Sequence, residues 1–445
     1  GVIDEPELNG TERAATVFNA HFTQIKNEIA DEILADDSLQ GDKTELAQSI
    51  RGIRNIVTNK KTAEVNGVDT WCPTINEFDM QANRAEYGES GEDVWWYTCN
   101  NPVNPYPSYH MDDPDGFVSA RVMSWMQYDY GVSGNLYWET ALYRKIRYEG
   151  GEMTRTYLDP YTEAEHYPGT NGDGFLFYPG AKYGIYGPVV SNRLVAIRDG
   201  LEEYELIKNL YETYSAEGHD AEPVMRVLYD ILYTGTRCAS GSAQYRDVRE
   251  TLLKLCSFAR DGVFFTEVGE ANGVITVKAE AEEDEMSFNG EKAIAQETAE
   301  GFTYTFSFVA DKTANVLTVA YLNEEITFDF GGRKSIVTDF ETDGTQGFIS
   351  LNGSIGFEVA DDPQSGIANM LRCSFTDPED QILWTGENFS DILDANTFSL
   401  VFKIYNPQNF FVTAMFSIAG NSVISVAENI LYPGWNTVKI LHIDA

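Results

Sequence analysis

The sequence opens with the stretch "GVIDEPELNG", in which two acids, Asp4 and Glu5, stand side by side directly before Pro6. Repulsion raises the cost of ionising both carboxyls of such a pair, so one protonated and one charged group is favoured. Cleavage of a glycosidic bond uses this combination, because a protonated carboxyl helps the leaving oxygen to depart. Acids are abundant in this chain, with 70 Asp and Glu among 445 residues, so the pair alone is a weak signal.

The spacing of the two acids favours one mechanism of glycoside cleavage over another. Pro6 cannot donate to a strand ladder and helps to end a strand at Glu5, and catalytic groups of parallel barrels lie at the carboxyl ends of strands. A direct nucleophile must stand ~5 Å from the acid across the sugar ring, which neighbours on one strand provide poorly. With a 2-acetamido sugar, the substrate's own carbonyl oxygen can attack instead. Glu5 would then be the acid and later the base, and Asp4 would hold the acetamide N–H and stabilise the oxazolinium-like intermediate.

The composition excludes several classes of partner. A net charge of −39 disfavours nucleic acid and anionic membrane surfaces, which bind basic proteins, and no apolar run reaches the ~18 residues of a membrane span. The five histidines are scattered and the five cysteines form no zinc-binding pattern, so we predict no metal and no cofactor. The sequence does not exclude one disulfide, and the spacing favours Cys238 with Cys256. A neutral glycan is the expected partner, and the sequence does not set the oligomeric state.

Strand-like and helical segments alternate over the first part of the chain, which predicts a parallel sheet. The predicted strands cover residues 1–4, 54–59, 68–73, 94–99 and 134–139. Thr11 can cap a helix whose apolar face is formed by Phe18, Phe22, Ile25, Ile29 and Ile33. Five strand units suit either an open sheet or the last five units of an eight-stranded barrel.

The second half of the chain changes from helical to strand-like patterning. Helices are predicted at 191–211, with Ser191 as N-cap, and near 221–233 and 243–259. Residues 262–332 read as a small β-domain or β-rich linker, and 333–445 as an antiparallel β-sandwich that could bind carbohydrate. The aromatic residues of that sandwich would equally fill a core: Phe348, Phe357, Trp384 and Trp435.

Taken together, seven motifs over roughly residues 1–215 resemble the catalytic domain of glycoside hydrolase family 123 and its relatives known as domain of unknown function 4091. They are "IDEP" (3–6), "VDTWCP" (68–73), "WWYTCNNPVNPYPSY" (95–109), Arg121 with Trp125, "GNLYW" (134–138), "GDGFLFYPG" (172–180) and "SNRLVAIRDGLEEYELI" (191–207). The family carries its Asp-Glu pair on the fourth strand of a (β/α)8 barrel. The resemblance therefore implies that residues 1–261 are the C-terminal portion of such a barrel, strands four to eight, and that the sequence is part of a longer chain.

The resemblance implies a retaining, substrate-assisted β-N-acetylhexosaminidase, with N-acetylgalactosamine as the favoured sugar, Glu5 as acid/base and Asp4 as the stabilising acid. Aromatic residues at later strand ends are the predicted substrate contacts, since a sugar's apolar face stacks on a ring: Trp71, Trp96, Tyr97, Tyr137, Trp138 and Tyr178. Tyr97 or Tyr137 would donate its hydroxyl to the acetamide oxygen. Packing between sheet and helices is the competing role for about half of these aromatics.

Other polar residues have simpler expected roles. We expect Arg193 and Arg198 to pair with Glu202 or Glu203 on their own helix, and His110 and His166 to lie at the surface of loops.

Two other functions remain open at this stage. One is a non-catalytic glycan-binding or surface protein with a degenerate barrel. The other is a glycosidase with a direct nucleophile, for which Glu139 at the end of the last strand is the candidate. The low count of Lys and Arg and the sandwich predict a bacterial extracellular or cell-surface protein.

Overall fold

A computed structural model describes the chain over residues 5–80, 92–102, 106–111, 117–238, 242–271, 274–299, 301–310, 315–330, 344–345, 347–351, 353–361, 370–375, 380–384, 399–408, 412–419, 423–431 and 434–441. Its helices are α1 Pro6–Asn9, α2 Glu12–Ala35, α3 Lys43–Arg51, α4 Ile75–Met80, α5 Val118–Tyr130, α6 Asn192–Ala216, α7 Glu222–Leu232 and α8 Ser242–Arg260, with a 3₁₀ turn at Gly180–Tyr183. None of the helices so described has the length and apolarity to cross a membrane.

Strands fall into an N-terminal and a C-terminal set. The first set is β1 Ile56–Val57, β2 Thr70–Trp71, β3 Asp93–Thr98, β4 Gly134–Tyr137, β5 Arg144–Glu149, β6 Glu152–Tyr157, β7 Phe177–Pro179, β8 Pro188–Val190, β9 Tyr233–Thr234 and β10 Arg237–Cys238. The second set is β11 Phe264–Ala271, β12 Val274–Ala281, β13 Met286–Phe288, β14 Glu291–Lys292, β15 Ala295–Thr298, β16 Gly301–Val309, β17 Val316–Tyr321, β18 Glu324–Asp329, β19 Phe348–Ser350, β20 Gly356–Ala360, β21 Met370–Ser374, β22 Ile382–Trp384, β23 Ser399–Asn406, β24 Val412–Ala419, β25 Val423–Leu431 and β26 Gly434–Leu441.

A parallel sheet of four strands organises the N-terminal part, in the order β1-β2-β3-β4. Each strand pairs in parallel with the next along the chain, and α4 and α5 lie on the crossovers after β2 and β3. Four of the five predicted strands are thereby confirmed, and the first, at 1–4, lies outside the described residues. This part of the protein is α/β, and the carboxyl ends of its strands share one edge.

Helix α2 forms where predicted, but its apolar stripe does not face the core. Phe18 is 45% exposed and Ile25 is 51% exposed, whereas Ala15, Asn19 and Ala30 are buried. Small side chains let the helix approach the segment after β1, where the Asn19 amide donates to the carbonyl of residue 66. The side chain of Thr11 makes no capping hydrogen bond, in contrast to the prediction.

Helix α6 packs closely against α5. Gly200 makes this possible, because a Cβ at that position would stand 2.7 Å from the carbonyl oxygen of Arg121. The N-terminus of α6 is capped as predicted, since the Ser191 hydroxyl accepts from the Leu194 N–H at 3.2 Å. Capping and close approach together fix the helix whose first turn carries Arg193.

A buried carboxylate joins α5, α6 and α8. Glu203 is 1% exposed and accepts hydrogen bonds from the Trp125 indole at 2.8 Å and the Arg249 guanidinium at 2.9 Å. Arg121 and Tyr245 donate to the same carboxylate. A buried charge is tolerated only with partners of this kind, so Glu203 is a structural hub between three helices. The sequence predicts an ion pair between Glu203 and Arg193, and the structure does not contain it, because Arg193 binds backbone carbonyls instead.

Beyond α8 the described chain is almost entirely antiparallel strand. Two four-stranded sheets form, in the orders β11-β12-β16-β15 and β14-β13-β17-β18. They share a core with the helices, since the Phe265 ring lies 5.9 Å from Phe258 of α8 and 5.1 Å from Phe328 of β18. The strands from β19 onward are paired two by two. The division at residues 261/262 and 332/333 stays a prediction.

Replacing Glu203 by Ala should lower the free energy of unfolding by about 3 kcal/mol, because two cations and two buried donors lose their acceptor. The matched control is Glu202→Ala on the same helix, whose side chain is 68% exposed and should contribute under about 0.5 kcal/mol. The measurement is the midpoint of thermal unfolding of the full chain. Equal midpoints for the two variants would show that the hub does not stabilise the helices.

Candidate active site

Glu5 lies at the carboxyl edge of the parallel sheet. Its backbone N–H donates to the hydroxyl of Thr58, the residue after β1, at 3.2 Å. Its φ of +42° is in the left-handed region, which costs energy for a side chain other than glycine. The Tyr97 hydroxyl donates to Glu5 Oε1 at 2.5 Å. The half-buried carboxylate is therefore held by β3 from one side, and Asp4, its predicted partner, lies outside the described residues.

The hydroxyl of Tyr97 is occupied by its hydrogen bond to Glu5. The side chain is buried near the end of β3, and burial, followed by the neighbouring Glu5 carboxylate, raises the pKa of Tyr97 well above its ordinary value. The hydroxyl therefore keeps its proton and acts as a donor to Glu5 Oε1. A role for the same hydroxyl as donor to an acetamide oxygen would require this bond to break.

A second carboxylate, Asp173, holds the aromatic pair at the end of β4. Its Oδ1 accepts from the Tyr137 hydroxyl at 3.0 Å and from the Trp138 indole at 2.9 Å. Asp173 is fully buried, and its Oδ2 has no hydrogen-bond partner among the described residues. The Tyr137 hydroxyl also accepts from the Gly174 N–H at 2.8 Å, so its hydrogen bonds are satisfied within the protein.

Two glycines allow Asp173 to take this position. Gly172 and Gly174 both have positive φ, at +84° and +82°. A Cβ on Gly172 would lie 2.6 Å from Arg193 Nη1, and a Cβ on Gly174 would lie 3.0 Å from the Trp138 ring. Asp173 was not singled out from the sequence, although it sits inside the quoted motif "GDGFLFYPG". An acid flanked by glycines after the last strand is the signal that could have found it.

Arg193 is buried below the Asp173 loop and does not form the expected ion pair. Its guanidinium donates to the carbonyl oxygens of Tyr109 at 2.8 Å and Phe175 at 2.7 Å, and also to that of Gly172. Burial lowers the pKa of Arg193 from its ordinary value. Arg198, by contrast, is exposed and pairs with Asp199 at 2.5 Å and Glu202 at 3.6 Å.

The two loop histidines are buried, which corrects the prediction that they lie at the surface. His110 is bonded through Nε2 to the Cys99 carbonyl at 2.9 Å. His166 packs its ring 5.2 Å from that of Trp138, and its Nδ1–H donates to the Arg144 carbonyl. His166 Nε2 is buried and has no partner among the described residues. Burial lowers the pKa of His166 below its ordinary value, so the ring is neutral. Loop position alone did not predict exposure, because both loops fold back over the sheet edge.

Cys99 follows the last residue of β3 directly and is partly buried. Burial, its main cause, raises the pKa of the Cys99 thiol to about 11, and the charges of Asp173 and Glu5 add to the rise. Thr98, at the end of β3, pairs with Tyr137, at the end of β4. Glu5, bonded to Tyr97, and Asp173, bonded to Tyr137, therefore lie at the same edge of the sheet. The possible bridge between Cys238 and Cys256 is not formed.

The remaining predicted site residues divide between core and edge. Trp71 and Trp96 are buried, at 2% and 0% exposure, and Trp96 packs edge-on against Phe78 at 5.3 Å. Such rings have no free face for a sugar. Tyr178 is half-buried, with its ring 5.2 Å from that of Tyr161.

Glu139, the candidate direct nucleophile, is already engaged by its own chain. Its Oε1 accepts the backbone N–H groups of Thr140 and Ala141 at 2.9 and 3.2 Å. Asn100 and Asn101 are exposed after β3. Among the predicted site residues, the structure places Tyr97 in contact with Glu5, and it joins Tyr137 and Trp138 through Asp173.

Residues 16–210 match the family model described as Glycoside hydrolase 123, catalytic domain. This confirms the resemblance predicted from the motifs, and it supports a glycoside hydrolase. The matched range contains the parallel sheet and Asp173 and begins after Glu5. A search of curated proteins found no match.

Among solved structures, the chain is similar to the crystal structure of FMN-binding beta-glucuronidase from Facaelibacterium prausnitzii L2-6, at 11% identity and a TM-score of 0.17. The similarity covers 65% of this chain and 37% of that one. It is too low to support a conclusion about fold or activity.

Acid should destabilise this site through His166. The buried ring is neutral with a lowered pKa, whereas the unfolded ring titrates near 6.5. The contribution of the neutral His166 ring to the free energy of unfolding is therefore fully present above about pH 6.5. It is lost as the pH falls through the folded pKa, because the unfolded state binds the extra proton. His166→Asn keeps a donor for the Arg144 carbonyl and removes the titration.

The loss of unfolding free energy between pH 7.5 and 5.5 should be smaller in His166→Asn than in wild type, by an amount of order 1 kcal/mol. Urea midpoints at the two pH values measure it, with exposed His21→Asn as control. An unchanged pH dependence in His166→Asn would contradict the buried neutral ring.

Proposed function

We propose that the protein is a retaining β-N-acetylhexosaminidase, with terminal β-linked N-acetylgalactosamine as the favoured sugar, in which Glu5 is the acid/base and Asp4 stabilises the acetamide. The observation that carries the proposal is the Glu5 carboxylate at the carboxyl edge of a parallel sheet, held through one oxygen by Tyr97, in a chain that matches a glycosidase catalytic domain.

The chemistry follows from that arrangement. The acetamide oxygen of the substrate attacks the anomeric carbon, while Glu5 gives a proton from Oε2 to the departing glycosidic oxygen. Tyr97 stays bonded to Oε1, and because hydrogen bonds to an ionised carboxylate are stronger than those to a neutral one, it stabilises the charge that develops on Glu5. Water then opens the oxazolinium-like intermediate, with Glu5 as base.

Tyr137 and Trp138 are the proposed sugar contacts, because both residues are partly exposed at the end of β4 and both are oriented by Asp173. We propose further that β1 to β4 are strands five to eight of a (β/α)8 barrel, with the strand at 1–4 as the fourth. The family match and the parallel order of the strands support this. A β-sandwich at 333–445 and a bacterial extracellular or cell-surface location complete the proposal.

The central test is hydrolysis of an aryl β-N-acetylgalactosaminide by the full chain. Glu5→Gln and Asp4→Asn should each lower kcat by about 10²- to 10⁴-fold, since general acid–base catalysis contributes that much. Exposed Glu32→Gln is the matched control and should leave the rate unchanged. An aryl β-galactoside, which lacks the acetamide, should not be cleaved.

The possible outcomes separate the competing functions. Equal cleavage of the galactoside would discard the acetamide mechanism and favour a direct nucleophile, to be tested by Glu139→Gln. Absence of hydrolysis by wild type together with retained glycan binding would favour a non-catalytic glycan-binding protein.

Tyr97→Phe tests whether the hydrogen bond to Glu5 contributes to the chemical step. Loss of one charge-assisted hydrogen bond should lower kcat by about 10- to 100-fold, with KM little changed because the hydroxyl is not proposed to touch the sugar. Tyr304→Phe, in β16, removes a similarly buried hydroxyl away from the sheet and serves as control. A rise in KM without a fall in kcat would instead assign Tyr97 to substrate binding.

A further inference from the structure

The hairpin of β5 and β6 follows directly after the strand end that carries Tyr137 and Trp138. Its strands pair from Arg144 opposite Tyr157 down to the turn, where two consecutive glycines take positive φ. The hairpin is anchored to the site, because the Ile146 N–H donates to the His166 carbonyl at 2.8 Å. It was not predicted from the sequence.

One face of this hairpin is neutralised by neighbouring acids. Side chains alternate between the two faces of a strand, so Lys145 and Arg147 lie together. Lys145 pairs with Glu163 at 2.7 Å, and Arg147 pairs with Glu165 at 2.6 Å. Their charges are thus satisfied within the protein.

The opposite face carries two arginines that have no such partner. We call it the arginine face, defined by Arg144, Tyr148, Arg155 and Tyr157, with Ile146 buried at its centre. Neither Arg144 nor Arg155 makes a side-chain hydrogen bond or ion pair with any described residue, and both are exposed. The two tyrosines are 62% and 70% exposed.

The arginine face borders the candidate site. Ile146 stands opposite Arg155 in the hairpin and donates its N–H to the His166 carbonyl, and the Arg144 carbonyl accepts from His166 Nδ1–H. The His166 ring in turn lies 5.2 Å from that of Trp138 at the end of β4. These contacts through His166 place the hairpin next to the Trp138 end of the sheet edge.

The chemistry of the arginine face fits an anion that has a flat apolar surface. Guanidinium groups bind carboxylate and sulfate oxygens through paired N–H donors, and exposed tyrosine rings offer stacking area. The chain has 31 Lys and Arg against 70 acids, so an exposed arginine pair without an acid partner stands out. Charge complementarity selects an acidic sugar over a neutral one.

We propose that the arginine face is a subsite for an anionic sugar, carboxylated or sulfated, that adjoins the sugar bound at the Glu5 edge. The inference rests on the proposed hydrolase function and narrows its substrate class to acidic glycans. The substrate would then carry the cleaved N-acetylhexosamine on a uronic acid or a sulfated sugar.

Binding to the full chain tests the proposal without any need for turnover. The probes are sulfur-linked disaccharides, which resist cleavage: N-acetylgalactosamine joined to glucuronic acid, and the same compound with the carboxyl reduced to give glucose. A second pair carries galactose 6-sulfate or galactose. Calorimetry should show about 3- to 10-fold tighter binding of an anionic member than of its neutral partner, and the preference should shrink at high salt.

Arg155→Gln and Arg144→Gln should each reduce that preference, while binding of the neutral members stays unchanged and so shows that the variants are folded. Arg198→Gln, which removes an exposed arginine of α6, is the matched control and should keep the full preference. The sulfated and carboxylated pairs distinguish which anion is bound. Equal binding of both members by wild type, or a preference that survives both arginine variants, would overturn the proposal.

Hydrolysis of the simple aryl β-N-acetylgalactosaminide separates this proposal from the function on which it rests. Cleavage of this substrate without any preference for anionic ligands would reject the anionic subsite and leave the hydrolase proposal standing. A preference for anionic ligands without cleavage would support the anionic subsite and reject the hydrolase proposal.

Discussion

The buried guanidinium of Arg193 is the interaction on which the candidate site depends. It is removed from water at the first turn of α6 and replaces that hydration with the carbonyl oxygens of Tyr109, Gly172 and Phe175. Leaving a buried charge without such acceptors would be strongly destabilising. The two segments that supply the carbonyls are therefore fixed to the helix and to each other, and Asp173 is carried on one of them.

The sheet edge consequently has two halves that are organised differently. On one side the Glu5 carboxylate is half-buried and shares one oxygen with a hydroxyl that keeps its proton. On the other side the Asp173 carboxylate is fully buried and orients Tyr137 and Trp138. Burial suits Asp173 to a positioning task, whereas the proposed acid/base role of Glu5 requires a carboxylate that is partly exposed.

The distribution of charge matters more than its sum. The net charge of −39 suggested a neutral partner, because a uniform negative surface repels anions. Charge is not uniform, however, since the β5–β6 hairpin places Arg144 and Arg155 together beside the site. Local complementarity of this kind acts at distances shorter than the ~10 Å over which salt screens the rest of the surface.

The sequence by itself determined the elements of the α/β part and the family they resemble. Strands β1 to β4, the long helices and the Ser191 cap were predicted, because hydrophobic periodicity and capping are properties of neighbouring residues along the chain. Adjacency along the chain, with Asp4 and Glu5 directly before Pro6, identified Glu5 as a chemical candidate.

Only the tertiary structure decided which side chains are buried and which groups meet. It turned the apolar stripe of α2 outward, buried His166, and gave Arg193 carbonyl partners and Glu203 cation partners from other elements. It also joined Tyr97 to Glu5, 92 residues away in sequence. Burial and hydrogen bonding between distant segments depend on how the elements pack, and no pattern within a single segment contains that information.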